Sequence, residues 1–263
     1  MCTVTFLPLP GGGYLLGTNR DERPSRGTAR PPEERVLAGR KLLHPVDSDA
    51  GGTWIAVDDG GRTLCILNGD REPAAPPPDD PPSRGILVLE LMHDARPEAV
   101  LARLDDDARR GRLRQRAFKL VVAEPGLDAR PASSRCITWD GRELRVEEEP
   151  GARLVVSSTY ETDAVTDFRA RRFAKLLASF DDELSPGTLA RQLAAWHAAH
   201  RPEAPGGDAY SVCMHRDDAS TVSSTFVGVD GASVTLSYRA GAPCRAQPVI
   251  RRELARSGST ATR

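Results

Sequence analysis

Cysteine at position two is the residue here best placed to do chemistry. An initiator methionine is normally removed before a small residue, and cysteine qualifies. Removal puts a thiol and a free α-amine on the same residue. Such an amine has a pKa of about 7.7–8 and can serve as a general base at neutral pH. The thiolate is the nucleophile, and cationic neighbours favour it. The polar tetrad Asn19-Arg20-Asp21-Glu22 offers partners: Arg20 as the cation, and Asp21 either orienting Arg20 or accepting a hydrogen bond from the α-amine. The Asn68 side-chain amide suits the oxyanion of a tetrahedral intermediate, although Asn68-Gly69 also reads as a plain strand-ending turn. Trp54, in Gly51-Gly52-Thr53-Trp54, suits a core or pocket wall, because indole has no useful acid–base chemistry.

Hairpins must bring these residues together. Residues 2–7 and 13–18 are strand-prone and flank Pro10-Gly11-Gly12-Gly13, a turn that sets Cys2 against the region of Arg20. Residues 53–57 and 63–67 flank a second turn at Asp59-Gly60, which sets Asn68 near Gly51-Gly52. Alternation along an extended segment puts Asn19 and Asp21 on one side, Arg20 and Glu22 on the other. The Pro/Arg-rich residues 23–40 read as loop, and the proline-rich residues 72–83 as an exposed loop. Helices are expected at 84–94 and 97–110, then strands at 118–123, 136–139, 144–147 and 153–157. Residues 161–180 carry a helical apolar stripe that includes Val165 and Phe173, and Ser185-Pro186 opens another helix. Strands return at 210–215, 221–229 and 233–238. Hairpins separated by blocks of helices indicate an α+β fold with antiparallel sheets. One domain is expected over 1–255, with a flexible tail at 256–263.

The balance of the chain narrows the partners. Its 263 residues carry 36 Lys and Arg against 37 Asp and Glu, a net charge of −1 with no basic block, which excludes a sequence-independent nucleic-acid binder. No apolar run reaches the length of a membrane span, and the first residues lack the basic leader of a secretion signal. Cys2, Cys65, Cys136, Cys213 and Cys244 are odd in number without CxxC spacing, so neither a disulfide framework nor a cysteine zinc site is expected, and a reducing cytoplasm fits. Cys65 and Cys213 sit in apolar strands and read as inert. His197 and His200 are three apart on a helix, but no third ligand is evident. No metal and no cofactor are expected, and the partner is a small molecule.

The start Met1-Cys2-Thr3-Val4-Thr5-Phe6, the tetrad Asn19-Arg20-Asp21-Glu22 and the run Gly51-Gly52-Thr53-Trp54 resemble the NRDE, or transport-and-Golgi-organisation, family. That family is similar to N-terminal-nucleophile hydrolases of the choloylglycine hydrolase type. The resemblance implies a four-layer αββα sandwich, with Cys2 as nucleophile, Asp21 contacting its amine and Asn68 in the oxyanion hole. Asn19, Arg20, Trp54 and Ser158 are the implied substrate contacts. Two positions depart from the hydrolase pattern: Thr18 replaces an arginine, and Ser158 replaces a second oxyanion asparagine. Arg216 and Arg239 are the candidates for a late active-site arginine. The implied activity is cleavage of a linear amide in an N-acyl compound; the alternative is a non-catalytic haem or lipid carrier on the same fold.

Overall fold

The first hairpin closes through a single 3-10 turn at Pro10–Gly12, where Gly11 and Gly12 take positive φ that a side chain would resist. The strands it joins, β1 (Cys2–Pro8) and β2 (Tyr14–Glu22), pair antiparallel with Cys2 opposite Arg20, as the turn predicts. The computed structural model describes residues 2–76, 78–94, 96–127, 130–181 and 184–257.

Two antiparallel sheets form. The chain continues through β3 (Arg30–Leu37), β4 (Arg40–Val46), β5 (Ile55–Asp58), β6 (Thr63–Asn68), β7 (Phe118–Glu124), β8 (Ser133–Trp139) and β9 (Leu144–Glu148), which lie in that order in a seven-stranded sheet. The last strands are β10 (Arg153–Ser157), β11 (Ser220–Val229), β12 (Ser233–Ala240) and β13 (Val249–Ala255). They join the first hairpin in a six-stranded sheet of order β10-β1-β2-β11-β12-β13. β1 is therefore an interior strand, and Cys2 sits at its end between Arg20 and Ser157.

The inner faces of the sheets meet in one large core that includes Val4, Phe6, Leu16, Ile55, Leu64 and Leu236. Tyr14 crosses between the sheets, its buried hydroxyl donating to Gly61 O at 2.6 Å and sitting 2.5 Å from the Thr63 hydroxyl. Helices α1 (Arg84–Leu91) and α2 (Pro97–Arg109) pack on the seven-stranded sheet. Helices α3 (Thr162–Leu177) and α4 (Pro186–His197) cover the six-stranded sheet, where Phe173, Leu193 and Trp196 meet Leu15, Leu154 and Phe226. The layers run helices, sheet, sheet, helices. Ser185 caps α4 as expected, its hydroxyl accepting from Thr188 N at 3.2 Å, with Pro186 in the first turn.

Two expectations change, and one strand was not expected. Residues 23–40 are not all loop: β3 forms there as an edge strand, with Pro31 and Pro32 at a register shift where a missing N–H does no harm. Residues 210–215 make only one bridge, between His215 and Ser220, because their backbone groups are taken by side chains and loop partners. β13, too polar to announce itself, closes the edge of the six-stranded sheet. The expected tail lies outside the described residues from 258 on, whereas Ser257 N donates to Asp59 O at 2.7 Å. No helix among the described residues is long and apolar enough to cross a membrane.

Candidate active site

Cys2 is half-buried at a junction of three strand ends. Burial pushes its thiol above the ordinary value, the Asp21 carboxylate pushes the same way, and the Asp21 backbone amide opposes them by donating to the sulfur. The resting group is therefore a thiol rather than a thiolate, and an attack needs a base.

The alternation expected along β2 is what the register builds. Asn19 and Asp21 face the α3/α4 layer, whereas Arg20 faces the other sheet. Asp21 is almost fully buried, and burial raises its pKa against the pull of the Arg169 guanidinium and the Thr221 hydroxyl. Thr221 donates to Asp21 Oδ1 at 2.6 Å; Oδ2 is buried and has no hydrogen-bond partner among the described residues. Among the described residues, Arg169 is the largest fully buried side chain. It donates to Thr3 Oγ1 at 2.5 Å and to the carbonyls of Ala209, Tyr210 and Ser211 at 2.9, 3.4 and 2.7 Å. It thus fastens α3, β1 and the segment before β11 around Asp21. The sequence carries a signal for it: arginine sits midway between Val165 and Phe173 on the apolar stripe of α3, where an unpaired charge has no place.

Asn19, implied as a substrate contact, is turned the other way. Its amide donates to His197 O and Val212 O at 2.8 and 2.9 Å, and its Oδ1 meets His197 Nδ1 at 3.1 Å. It is fully buried and fastens α4 to the sheet. Arg20 lies 4.6 Å over the Trp54 ring and pairs with Asp47 at 3.0 Å and Glu22 at 3.1 Å, so its charge is largely answered before it reaches Cys2.

Arg20, Trp54 and Asn68 line one cavity of about 310 Å³ with Cys2. Asn68 also lines an adjoining cleft of about 1270 Å³ that reaches Asp21, and Ser157 donates to Asn68 O at 2.7 Å across the sheet ends. Ser158 is fully buried and lines neither space; its hydroxyl donates to Tyr160 O at 2.8 Å. Its neighbours Ser157 and Thr159 line the large cleft instead. Arg216 lines that cleft too, held by Asp218 at 2.7 Å, while Arg239 donates to Arg245 O away from it. The proline-rich segment is exposed, and Pro73, Pro76 and Pro78 wall the large cleft while Pro81 and Pro82 wall the small one.

Arg84 and Arg116 line both spaces and were not anticipated. Arg84 opens α1 directly after its Ser83 cap, a placement readable from a serine that ends a proline run. A close backbone approach puts it there: Thr53 N donates to Gly85 O at 3.0 Å, and a Cβ on Gly52 would lie 2.3 Å from the Gly85 carbonyl carbon. Gly52→Ala should therefore push α1 away at a cost of about 1–3 kcal/mol. At about 2–4 °C for each kcal/mol, a thermal melt reads this directly. An unchanged Tm would show that α1 does not depend on this contact.

The fold is that of the N-terminal-nucleophile hydrolases. A C2A mutant of the conjugated bile acid hydrolase from Clostridium perfringens superposes with a TM-score of 0.51 at 12% identity, covering 95% of this chain and 92% of that one. The Caenorhabditis elegans ortholog of N-acylethanolamine-hydrolyzing acid amidase gives a TM-score of 0.52 at 11% identity, over 86% of this chain and 92% of its own. No curated protein matches the chain in sequence. Kinship comes from the sequence pattern itself, which matches Transport and Golgi organisation 2 over residues 1–231, and the chain belongs to that family.

Proposed function

We propose that this protein is an N-terminal cysteine hydrolase that cleaves a linear amide of a small N-acyl compound. The observation that carries the reading is Asp21 Oδ2, a carboxylate oxygen buried beside Cys2 without a partner among the described residues. Leaving such a group unmatched costs about 1–3 kcal/mol or more. The α-amine freed by removal of Met1 is the group whose chemistry answers it. Once held there, that amine takes the Cys2 proton, directly or through a water, and the sulfur attacks the carbonyl carbon. Asn68 donates to the oxyanion. The amine then returns the proton to the leaving nitrogen, and water hydrolyses the thioester.

The lining favours an anionic substrate. Arg84, Arg114, Arg116 and Arg142 face the large cleft and make no ion pair among the described residues. The neighbours described above cleave bile acid conjugates and N-acylethanolamines by name, which fits an N-acyl substrate class.

Intact mass and acyl trapping test the reading. Protein lacking Met1 should form a thioester that peptide mapping places on Cys2, and Cys2→Ala should form none. Cys65→Ala should behave as wild type, since burial holds that thiol far above its usual pKa. Retention of Met1, or an acyl group on Cys244 alone, would overturn the mechanism. With a turned-over substrate in hand, Asn68→Ala should lower kcat by about 10²–10³ while the chain stays folded. A loss below about tenfold would remove Asn68 from the oxyanion hole.

A further inference from the structure

Four side chains outside the site converge on a second chemistry. His200 lies just beyond the end of α4, Cys213 and His215 lie two apart in the irregular segment before β11, and Cys244 lies in the connection from β12 to β13. Each offers one ligand atom, and these atoms all lie within 4.8 Å of one another. His215 Nε2 is 3.1 Å from Cys244 Sγ and 3.6 Å from Cys213 Sγ, and the two imidazoles stand edge to face with centroids 5.2 Å apart. With Zn–S of 2.3 Å and Zn–N of 2.0–2.1 Å, the edges of a tetrahedral site are about 3.3–3.8 Å. Of the two sulfur–nitrogen separations, 3.6 Å falls within that range and 3.1 Å lies just below it.

The second observation is His200. Its Nδ1 sits 2.5 Å from Pro205 O. A carbonyl only accepts, so Nδ1 carries the hydrogen and Nε2 keeps its lone pair. Nε2 is buried and has no partner among the described residues. A backbone carbonyl holding the remote ring N–H is the outer-shell arrangement that orients metal-bound histidines.

We propose that His200, Cys213, His215 and Cys244 bind one zinc ion as a closed Cys2His2 site. Two thiols each release a proton on binding, so two thiolates balance the dication and the site is neutral. Four protein ligands leave no open position, which makes the ion structural. Borderline nitrogen and soft sulfur donors in tetrahedral array select zinc over magnesium or calcium. The spacing hides the site from sequence, because the ligands come from three separate segments without a CxxC pair.

The position gives the ion a consequence. Met214, between two ligands, donates its N–H to Thr221 Oγ1 at 2.9 Å and accepts from Thr221 N at 2.8 Å. Thr221 Oγ1 in turn donates to Asp21. The ion fixes the segment that orients the Asp21 carboxyl, whether or not Cys2 proves to be a nucleophile.

Metal analysis of the full chain, purified without chelator from zinc-supplemented medium, tests this. Wild type should carry one zinc per chain. Cys244→Ser changes an exposed residue and should leave the chain folded, yet lower its metal affinity at least about tenfold, whereas Cys136→Ser should retain the ion. Cobalt added to the reduced apo-protein should give thiolate charge-transfer absorption that Cys213→Ser weakens. Folded wild type that purifies metal-free and gives no such absorption with cobalt overturns the proposal. So does a Cys244→Ser variant that binds zinc as tightly as wild type.

Discussion

Arg169→Met should lose about 3–5 kcal/mol of folding stability, the range expected when one partner of a buried charged network is removed. The change preserves bulk and apolar stem but strips every donor. Three carbonyls at residues 209–211 and the Thr3 hydroxyl then lose the guanidinium that now satisfies them. Asp21 loses the pull of the Arg169 charge in a place where burial already disfavours its own. Arg169→Lys keeps the charge without the planar fork and cannot reach all four acceptors, so it should fall between the two. Urea denaturation reads the effect as a lower midpoint at unchanged slope. A loss under about 1 kcal/mol would mean that water replaces the guanidinium, and that α3 is not fastened to the site through it.

The hairpin that carries Cys2 was legible because its register follows from the turn, and a register fixes which residues face each other. The pairing of Cys2 with Arg20 came from that arithmetic, and the split of Asn19 and Asp21 from Arg20 and Glu22 from the alternation of side chains along the strand. What the register cannot say is which layer covers each face. Asn19 could meet either a pocket or a helix, and it met α4 because Gly17 leaves room for His197 against the strand. Arg84 and Arg116 escaped notice because a proline-rich loop carries no period, although it forms the wall they share. The Thr18 departure is also clearer in space: its hydroxyl turns into the inter-sheet core toward Cys65. The cations near Cys2 come instead from α1 and α3, as Arg84 and Arg169.

Acid should weaken the fold through His197. The ring is fully buried, and burial together with the Arg169 charge lowers its pKa from 6.5 to about 3. Thr5 Oγ1 lies 2.8 Å from Nε2, and Asn19 Oδ1 lies 3.1 Å from Nδ1. The Asn19 amide is spent on two carbonyls, so its oxygen must face the ring, Nδ1 carries the hydrogen, and Nε2 accepts from threonine. That is the neutral tautomer. The unfolded chain takes up a proton near pH 6.5 and the folded one not until about 3, so this stability is complete above 6.5 and drains away as pH falls between those values. One proton accounts for about 1.4 kcal/mol per pH unit across the window. His44, also buried and lowered in pKa chiefly by burial, acts in the same direction. Buried carboxylates contribute to any acid transition, so the decisive readout is the imidazole itself. Its ring resonances should stay at their neutral positions down to about pH 4 in the folded protein. A His197 that titrates near 6 while the fold persists would mean water reaches the ring, and with it the junction of α4 and β2 that backs the Cys2 hairpin.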